Sequence, residues 1–316
     1  MNCMCCDHPL VDADDARSGW HRNCIRAFFG TDRLPSLEMT NDRLTELATQ
    51  TVHAGRTVAG VQRKLSVHLS QQEGASRLTL VGYPAGYILK PPAPEYAQLP
   101  ENEHLTMGLA GIVGINTVPH GLIFLADGAP AYITRRVDRR QKWPHGVPME
   151  DLCQLSQRLT EDKYRSSYEQ AGKVIGRYSS QPGVDLAEFF LLVVFSFVAG
   201  NADMHLKNFS LYRPREEWIL APAYDLLSTH LVIPDDPEEV ALVLNGKKRK
   251  LTRADFLAFA GTIGVHSRAA TGLIDSVIGR RSDIMTAIRR SRLSREAQDS
   301  MLELVRTRMD RLSDDG

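Results

Sequence analysis

The rhythm of apolar and polar positions changes along this chain. In "RTVAGVQRKLSVHLS" (56–70), apolar side chains recur at Leu65, Val67 and Leu69, the period-two pattern of a strand with one buried face. "SRLTLVG" (76–82) and "GYILK" (86–90) predict two more short strands around a Gly-Pro turn. "PENEHLTMGLAGIVG" (100–114) predicts a helix, with Pro100 in its first turn. "GLIFLADGAPAYITRRVDR" (121–139) predicts a hairpin around Asp127 and Gly128. Beyond Trp143 the spacing becomes helical, in "PMEDLCQLSQRL", "SYEQAGKVIGRYS", "DLAEFFLLVVFSFVAG" and residues 253–312. The expected class is α+β and bilobal, with a small β-rich N-lobe and a larger, all-helical C-lobe. The expected domains are a cysteine-containing cap (1–54), the β-rich lobe (55–140) and the helical lobe (141–316). Within the cap, 41–53 predict a short helix that Thr40 or Asn41 would cap.

Composition adds limits. With 316 residues, 43% of them apolar, the chain can bury a sizeable core. Lys plus Arg and Asp plus Glu are 38 each, so net charge exerts no global pull toward nucleic acid or membrane. No signal-peptide pattern opens the chain, and its longest apolar run, 189–199, is too short to span a bilayer. The expectation is a soluble cytoplasmic protein. The five cysteines are odd in number and four lie at one end, which argues against a secreted disulfide framework.

The most apolar segment is followed directly by "GNADMHLKNFSLY" (200–212). Asp203 precedes Asn208 by five residues, and Asp225 follows Asn208 by seventeen. Phosphoryl transfer needs such groups: one carboxylate to take the hydroxyl proton, and an amide and a second carboxylate to hold magnesium on the phosphates. The Asp-x4-Asn spacing matches a kinase catalytic loop. Taken alone, an Asp-x4-Asn spacing reads more readily as a polar turn after a core helix. Lys90, at the end of a predicted strand, is a candidate for the ATP phosphates, although strand-end lysines are usually solvated. Glu103, early in the next helix, is a candidate partner for that lysine, with Glu101 as competitor; either acid would also suit the helix dipole. Gly55 and Gly60 flank a polar segment whose backbone amides could cradle phosphate. It matches neither common glycine-rich phosphate motif, so an ordinary loop stays open.

Several ordered blocks go further: "GVQRKLSV", "YILKP", "NEHLTMGLA", "RRVDR", "EDLCQLSQR", "KYRSSYE", "GNADMHLKNFSL" and "LAPAYDLLS". Together they resemble the HipA-like family of bacterial serine/threonine kinases, toxins of toxin–antitoxin operons, from about residue 55 to 230. The resemblance implies a protein-kinase-like fold using ATP and Mg2+. It implies Asp203 as the catalytic aspartate, supported by His205 and Lys207, and Asn208 and Asp225 as magnesium ligands. It implies Lys90, Gly60 and Gln62 as ATP-binding, with Arg135, Arg136 and Val137 as the hinge that meets adenine. Autophosphorylation would fall on Thr57, where the family carries serine. The implied substrate is an aminoacyl-tRNA synthetase, tryptophanyl first and glutamyl second. The short segment before the kinase core resembles the HipT type, which implies a HipS-like small protein and a HipB-like DNA-binding antitoxin as partners. DNA would be met through the HipB-like partner, no membrane is involved, and the free protein would be a monomer. Two rivals are a small-molecule kinase, because "DMHLKN" also resembles the loop of antibiotic phosphotransferases, and a non-catalytic pseudokinase.

At the cysteine end, Cys3-x2-Cys6 and His21-x2-Cys24 have zinc-ligand spacing, with Cys5 as a substitute for either neighbour. The alternative is a metal-free cap packed through Trp20, Phe28 and Phe29. The basic run "NGKKRKLTR" (245–253) suits a solvated hairpin tip or an acidic partner, and the acidic "PDDPEE" (234–239) a solvated loop. Trp218 and Tyr224 suit core anchors, and Cys153 a buried inert thiol.

Overall fold

The structure, a computed structural model, describes residues 1–44, 46, 63–72, 75–139 and 146–313. It divides into two compact units. The first comprises Met1–His104 and Val118–His145; the second comprises Leu105–Thr117 and Gly146–Gly316.

The first unit is built on a five-stranded antiparallel sheet: β1 (Leu65–Gln72), β2 (Ala75–Leu80), β3 (Tyr87–Lys90), β4 (His120–Phe124) and β5 (Pro130–Arg135). Its order is β2-β1-β3-β5-β4. The predicted strands and the hairpin at Asp127–Gly128 are all present; Gly128 N–H donates to the Leu125 carbonyl at 2.9 Å. Helix α3 (Leu99–Ile112) follows β3, as Pro100 and its apolar spacing predict. The short helices α1 (Ala13–Ser18) and α2 (Arg22–Phe29) lie ahead of the sheet.

This N-terminal segment is tied to both outer strands. On β4, Leu122 N–H donates to the Met4 carbonyl at 2.7 Å, and Trp20 Nε1–H donates to the Leu122 carbonyl at 3.0 Å. On β2, Ser36 N–H donates to Ser76 O at 3.0 Å, and Leu78 N–H to Ser36 O at 2.9 Å. Gly121 permits the first contact, since a Cβ there would lie 2.7 Å from the Trp20 ring. Trp20, Phe28, Phe29 and Tyr87 form one aromatic cluster, with ring centroids 4.6–5.8 Å apart. Side chains alternate along a strand, so Tyr87 and Lys90 point to opposite faces of β3.

The second unit centres on α6 (Pro182–Val198), which follows β6 (Met149–Asp151), α4 (Leu152–Leu155) and α5 (Tyr168–Tyr178). Pro182 sits in the first turn of α6, where its missing N–H costs nothing. From Phe189 to Val198 every residue of α6 is buried. Phe189 packs against Phe209 (4.9 Å between centroids) and Phe259 (6.1 Å). Four helices complete the unit: α7 (Arg253–Ile263), α8 (Ser267–Gly279), α9 (Arg281–Arg290) and α10 (Arg295–Ser313).

The expectation of an all-helical C-lobe needs correction. A three-stranded sheet of order β6-β7-β8 lies within this unit, with β7 at Ser210–Tyr212 and β8 at Ile219–Leu220. Strands of two or three residues are too short to show alternation. The segment predicted as helix over 148–159 contributes β6 and only one helical turn, because Asp151 caps Gln154 N–H at 2.8 Å and starts α4 there. The acidic loop and basic run are partly paired: Lys248 with Glu238 (3.0 Å), Lys247 with Asp255 (2.8 Å) and Arg311 with Glu239 (2.7 Å). Trp218 and Tyr224 are only half-buried, whereas Cys153 is buried with its thiol on the Leu159 carbonyl at 3.2 Å.

Candidate functional site

In the second unit, the loop 201–208 is held almost entirely through its backbone. Gly200 ends α6 at φ +72°, and a Cβ there would lie 2.5 Å from Leu304 and 3.0 Å from Ser228 Oγ. A side chain is therefore excluded by both conformation and space. Ala202 N–H donates to Thr229 Oγ1 at 2.9 Å, and Thr229 Oγ1 in turn donates to Gly200 O at 3.1 Å. Asp203 N–H donates to Asn201 Oδ1 at 3.1 Å, an Asx turn. His205 N–H donates to Asp203 O at 2.8 Å. Tyr168, fully buried, donates to Met204 O at 3.1 Å. The Asp203 side chain itself is exposed.

Asn208 is buried, and its Nδ2 donates to Asp203 O at 2.8 Å. That bond fixes the amide and leaves Oδ1 as a hard oxygen donor. Asn208 lies just before β7, and Asp225 lies shortly after β8. The register pairs Leu211 with Leu220, and Ala221 N–H donates to Ser210 O at 2.8 Å. The sixteen intervening residues thus fold back as a hairpin that returns Asp225 to the Asn208 end. Asp225 has φ +61°, a conformation few non-glycine residues adopt and one often found at functional sites. An amide oxygen and a carboxylate are the donor types magnesium accepts.

His205 is buried within this group, with Tyr164 edge-on to its ring at 4.9 Å. Burial pushes its imidazole below the ordinary value, against the pull of the Asp203 and Asp225 carboxylates. Lys207 pairs with Asp151 at 2.8 Å, and its carbonyl accepts from Tyr224 Oη at 3.0 Å. Three participants carried no sequence signal of their own. Tyr164 donates its hydroxyl to Asp203 Oδ1, and burial followed by that bond pushes its phenol upward. Asp151 faces Lys207 from β6. Asp185, fully buried, accepts from Ser179 Oγ (2.6 Å), Gln181 Nε2 (3.0 Å) and Leu220 N–H (2.8 Å), tying β8 to α6. Asn201 was legible in principle, since Asn-x-Asp is an Asx-turn pattern.

In the first unit, Lys90 ends β3 and is 3% exposed; Glu103 on α3 is 1% exposed. Lys90 Nζ lies 2.5 Å from Glu103 Oε1 and 5.3 Å from the centre of the Tyr132 ring. Of the two candidate acids, Glu103 is in contact with the lysine. Arg135 and Arg136 leave β5 with both backbone N–H groups engaged, on Pro119 O and Gly86 O, each at 2.9 Å. The Arg136 guanidinium forks onto Asp138 at 2.8 and 2.6 Å, and Val137 is half-buried between them in sequence. Thr57, Gly60 and Gln62 lie outside the described residues.

Cys3, Cys6, His21 and Cys24 converge, with one ligand atom of each within 4.8 Å of all the others. Burial raises the Cys3 thiol, but N–H groups of His21, Cys6 and Cys5 outweigh it and hold the pKa below the ordinary value. No described helix is long and apolar enough to cross a membrane.

Known proteins resemble this chain in sequence and in fold. The chain is 32% identical to Y4mE of Sinorhizobium fredii over 252 residues, covering 74% of this chain and 59% of that protein. It is 35% identical to Y4dM of the same organism over 209 residues, covering 61% and 49% respectively. Both carry provisional kinase names, and the chain spans only about half to three-fifths of their length. Among solved structures, HipA of Shewanella oneidensis, determined with HipB and operator DNA, superposes with a TM-score of 0.67 at 20% identity, covering 81% of this chain and 64% of that one. The Helicobacter pylori proinflammatory kinase CtkA superposes at 0.53 with 14% identity, covering 80% and 98%. These two show a shared kinase-like fold. Residues 56–304 match the family model described as the HipA-like C-terminal domain, and the chain therefore belongs to that family.

Proposed function

We propose that this chain is a serine/threonine protein kinase acting as a toxin, which transfers the γ-phosphate of ATP to a serine of an aminoacyl-tRNA synthetase and so stops translation and growth. The observation that carries the phosphoryl-transfer reading is the convergence of Asp203, Asn208 and Asp225 around one hairpin end. Asp203 accepts the proton of the attacking hydroxyl as that oxygen bonds to the γ-phosphorus and the bond to the ADP oxygen breaks. Asn208 Oδ1 and the Asp225 carboxylate would hold the metal. Magnesium, when bound, neutralises phosphate charge. Lys90, paired with Glu103, would meet the phosphates, residues 135–137 would meet adenine, and Gly60 and Gln62 would contribute to ATP binding. His205 and Lys207 brace the loop.

The remaining assignments rest on the family. Thr57 would be the autophosphorylation site, whose added charge of about −1.5 to −2 would draw its loop from the ATP site. The tryptophanyl synthetase is the first candidate substrate and the glutamyl enzyme the second. A HipB-like antitoxin and a HipS-like small protein would be the partners; HipB accompanies HipA in the Shewanella complex. The protein would work in the cytoplasm, as a monomer when free.

The test is labelled ATP with a cell lysate and, separately, with each purified synthetase. One labelled protein band, reproduced with one synthetase, is the expected result; label confined to small molecules would refute the protein-kinase reading. Asp203→Gln should lower labelling by about 10²- to 10⁴-fold and abolish toxicity.

A further inference from the structure

We propose that Cys3, Cys6, His21 and Cys24 bind one structural zinc ion, and that this ion fastens the N-terminal segment to the outer strand β4. The side chains come from two short pieces of chain. Cys3 and Cys6 lie on a tight turn in which Asp7 N–H donates to Cys3 O at 3.1 Å. His21 immediately precedes α2, and Cys24 lies within its first turn.

The donor set is three sulfurs and one imidazole nitrogen, mutually within 4.8 Å. A tetrahedral zinc with Zn–S of about 2.3 Å and Zn–N of about 2.0 Å requires ligand separations near ~3.5–3.8 Å. The Cys6 Sγ to His21 Nδ1 distance is 3.4 Å. A thiol–imidazole hydrogen bond would explain that pair alone. It leaves unexplained why two further sulfurs gather at the same point.

The surroundings are those of a metal site. His21 Nε2–H donates to Pro9 O at 3.1 Å, which leaves the Nδ1 lone pair facing the sulfurs. Backbone N–H groups of Cys5 and His21 lie 3.5 and 3.4 Å from Cys3 Sγ, suited to a thiolate. A surface depression of about 390 Å³, lined by Cys6, His21 and Cys24, gives an ion access. Soft thiolates with one imidazole in tetrahedral array select zinc or an iron–sulfur cluster, and a closed four-ligand set reads as structural.

The segment also needs such a fastening. Helix α1 has six residues, none buried, and α2 has eight. A piece of that size is too small to hold itself by core packing. Yet Met4, between the two turn cysteines, accepts the Leu122 N–H, and Trp20, next to His21, fills the space beside Gly121.

The experiment uses the full chain, with any histidine tag removed. Elemental analysis should find about one zinc per chain, and cobalt substitution should give the intense visible bands of a tetrahedral thiolate site. Cys24→Ser should lower zinc to below about a tenth of an equivalent, while Cys5→Ser should retain it. Should Cys24→Ser fail to fold, chelation of the wild-type protein gives the second readout. Zinc release should then accelerate hydrogen exchange at the Leu122 amide by at least about tenfold. Absence of metal, an iron–sulfur chromophore, a disulfide among these cysteines, or unchanged Leu122 exchange after chelation would overturn the proposal.

Discussion

The two units hold their polar residues in opposite ways. In the first, Lys90 and Glu103 are an ion pair removed from water, 3% and 1% exposed, and each is positioned by the other. In the second, the Asp203 side chain is exposed while the backbone around it is bonded to Thr229, Asn201, His205 and Asn208. A buried pair couples position to stability, because removing one partner strands a charge in low dielectric. An exposed carboxylate on an anchored loop separates them, since the loop is held chiefly by its backbone and the side chain's own bond is to Tyr164.

The sharpest way to break this contrast is at Lys90. Lys90→Met should lower unfolding free energy by about 3–5 kcal/mol by removing the buried cation that faces the Glu103 carboxylate. Adding Glu103→Leu should recover most of that loss in denaturant titrations without restoring phosphoryl transfer. Asp203→Asn should abolish transfer yet shift the melting temperature by less than about 2 °C. If it destabilises as much as Lys90→Met, the distinction fails.

A second test uses acid. His120 on β4 lies 5.4 Å from His104, centroid to centroid, and burial followed by the His104 charge lowers its pKa to about 4, against Val118 O and Asp7. Its unfolded value is about 6.5, so between those limits the unfolded chain binds more protons. Stability is therefore full above about pH 6.5 and declines as pH falls toward about 4, by roughly 3 kcal/mol in all. Urea titrations at pH 7, 5.5 and 4.5 should show this loss, and His120→Gln should flatten it. The smallest effect belongs to the second unit. Ser167 Oγ accepts from Gln170 N–H at 3.2 Å at the start of α5, and Ser167→Ala should cost about 1 kcal/mol in thermal unfolding.

What could be read from the sequence follows from the length of the elements. Strands β1, β3 and β5 and helices α3 and α6 are long or bounded enough to show a period, a proline or a turn pair. Strands β6, β7 and β8 are not, and with them went the hairpin that brings Asp225 back to Asn208. The chemistry proposed for that loop rests on a spacing visible in the sequence, but the loop's support was not visible. Tyr164 and Asp185 act across distances in the chain that no local rule connects. The cysteine and histidine pairs were visible because both members of each pair sit three residues apart, within a single turn. The N-terminal attachment to β2 and β4 was invisible because it is made largely by backbone groups, on which side-chain pattern is silent.

That attachment bears on any attempt to trim the protein. The span matched by the family, 56–304, contains all five strands of the sheet but neither Met4 nor Ser36. Such a fragment would expose β2 and β4 as bare templates for strand addition, the usual route to edge-to-edge aggregation. A fragment trimmed at the family boundary should therefore aggregate more readily than the full chain, because the first forty residues cover both sheet edges.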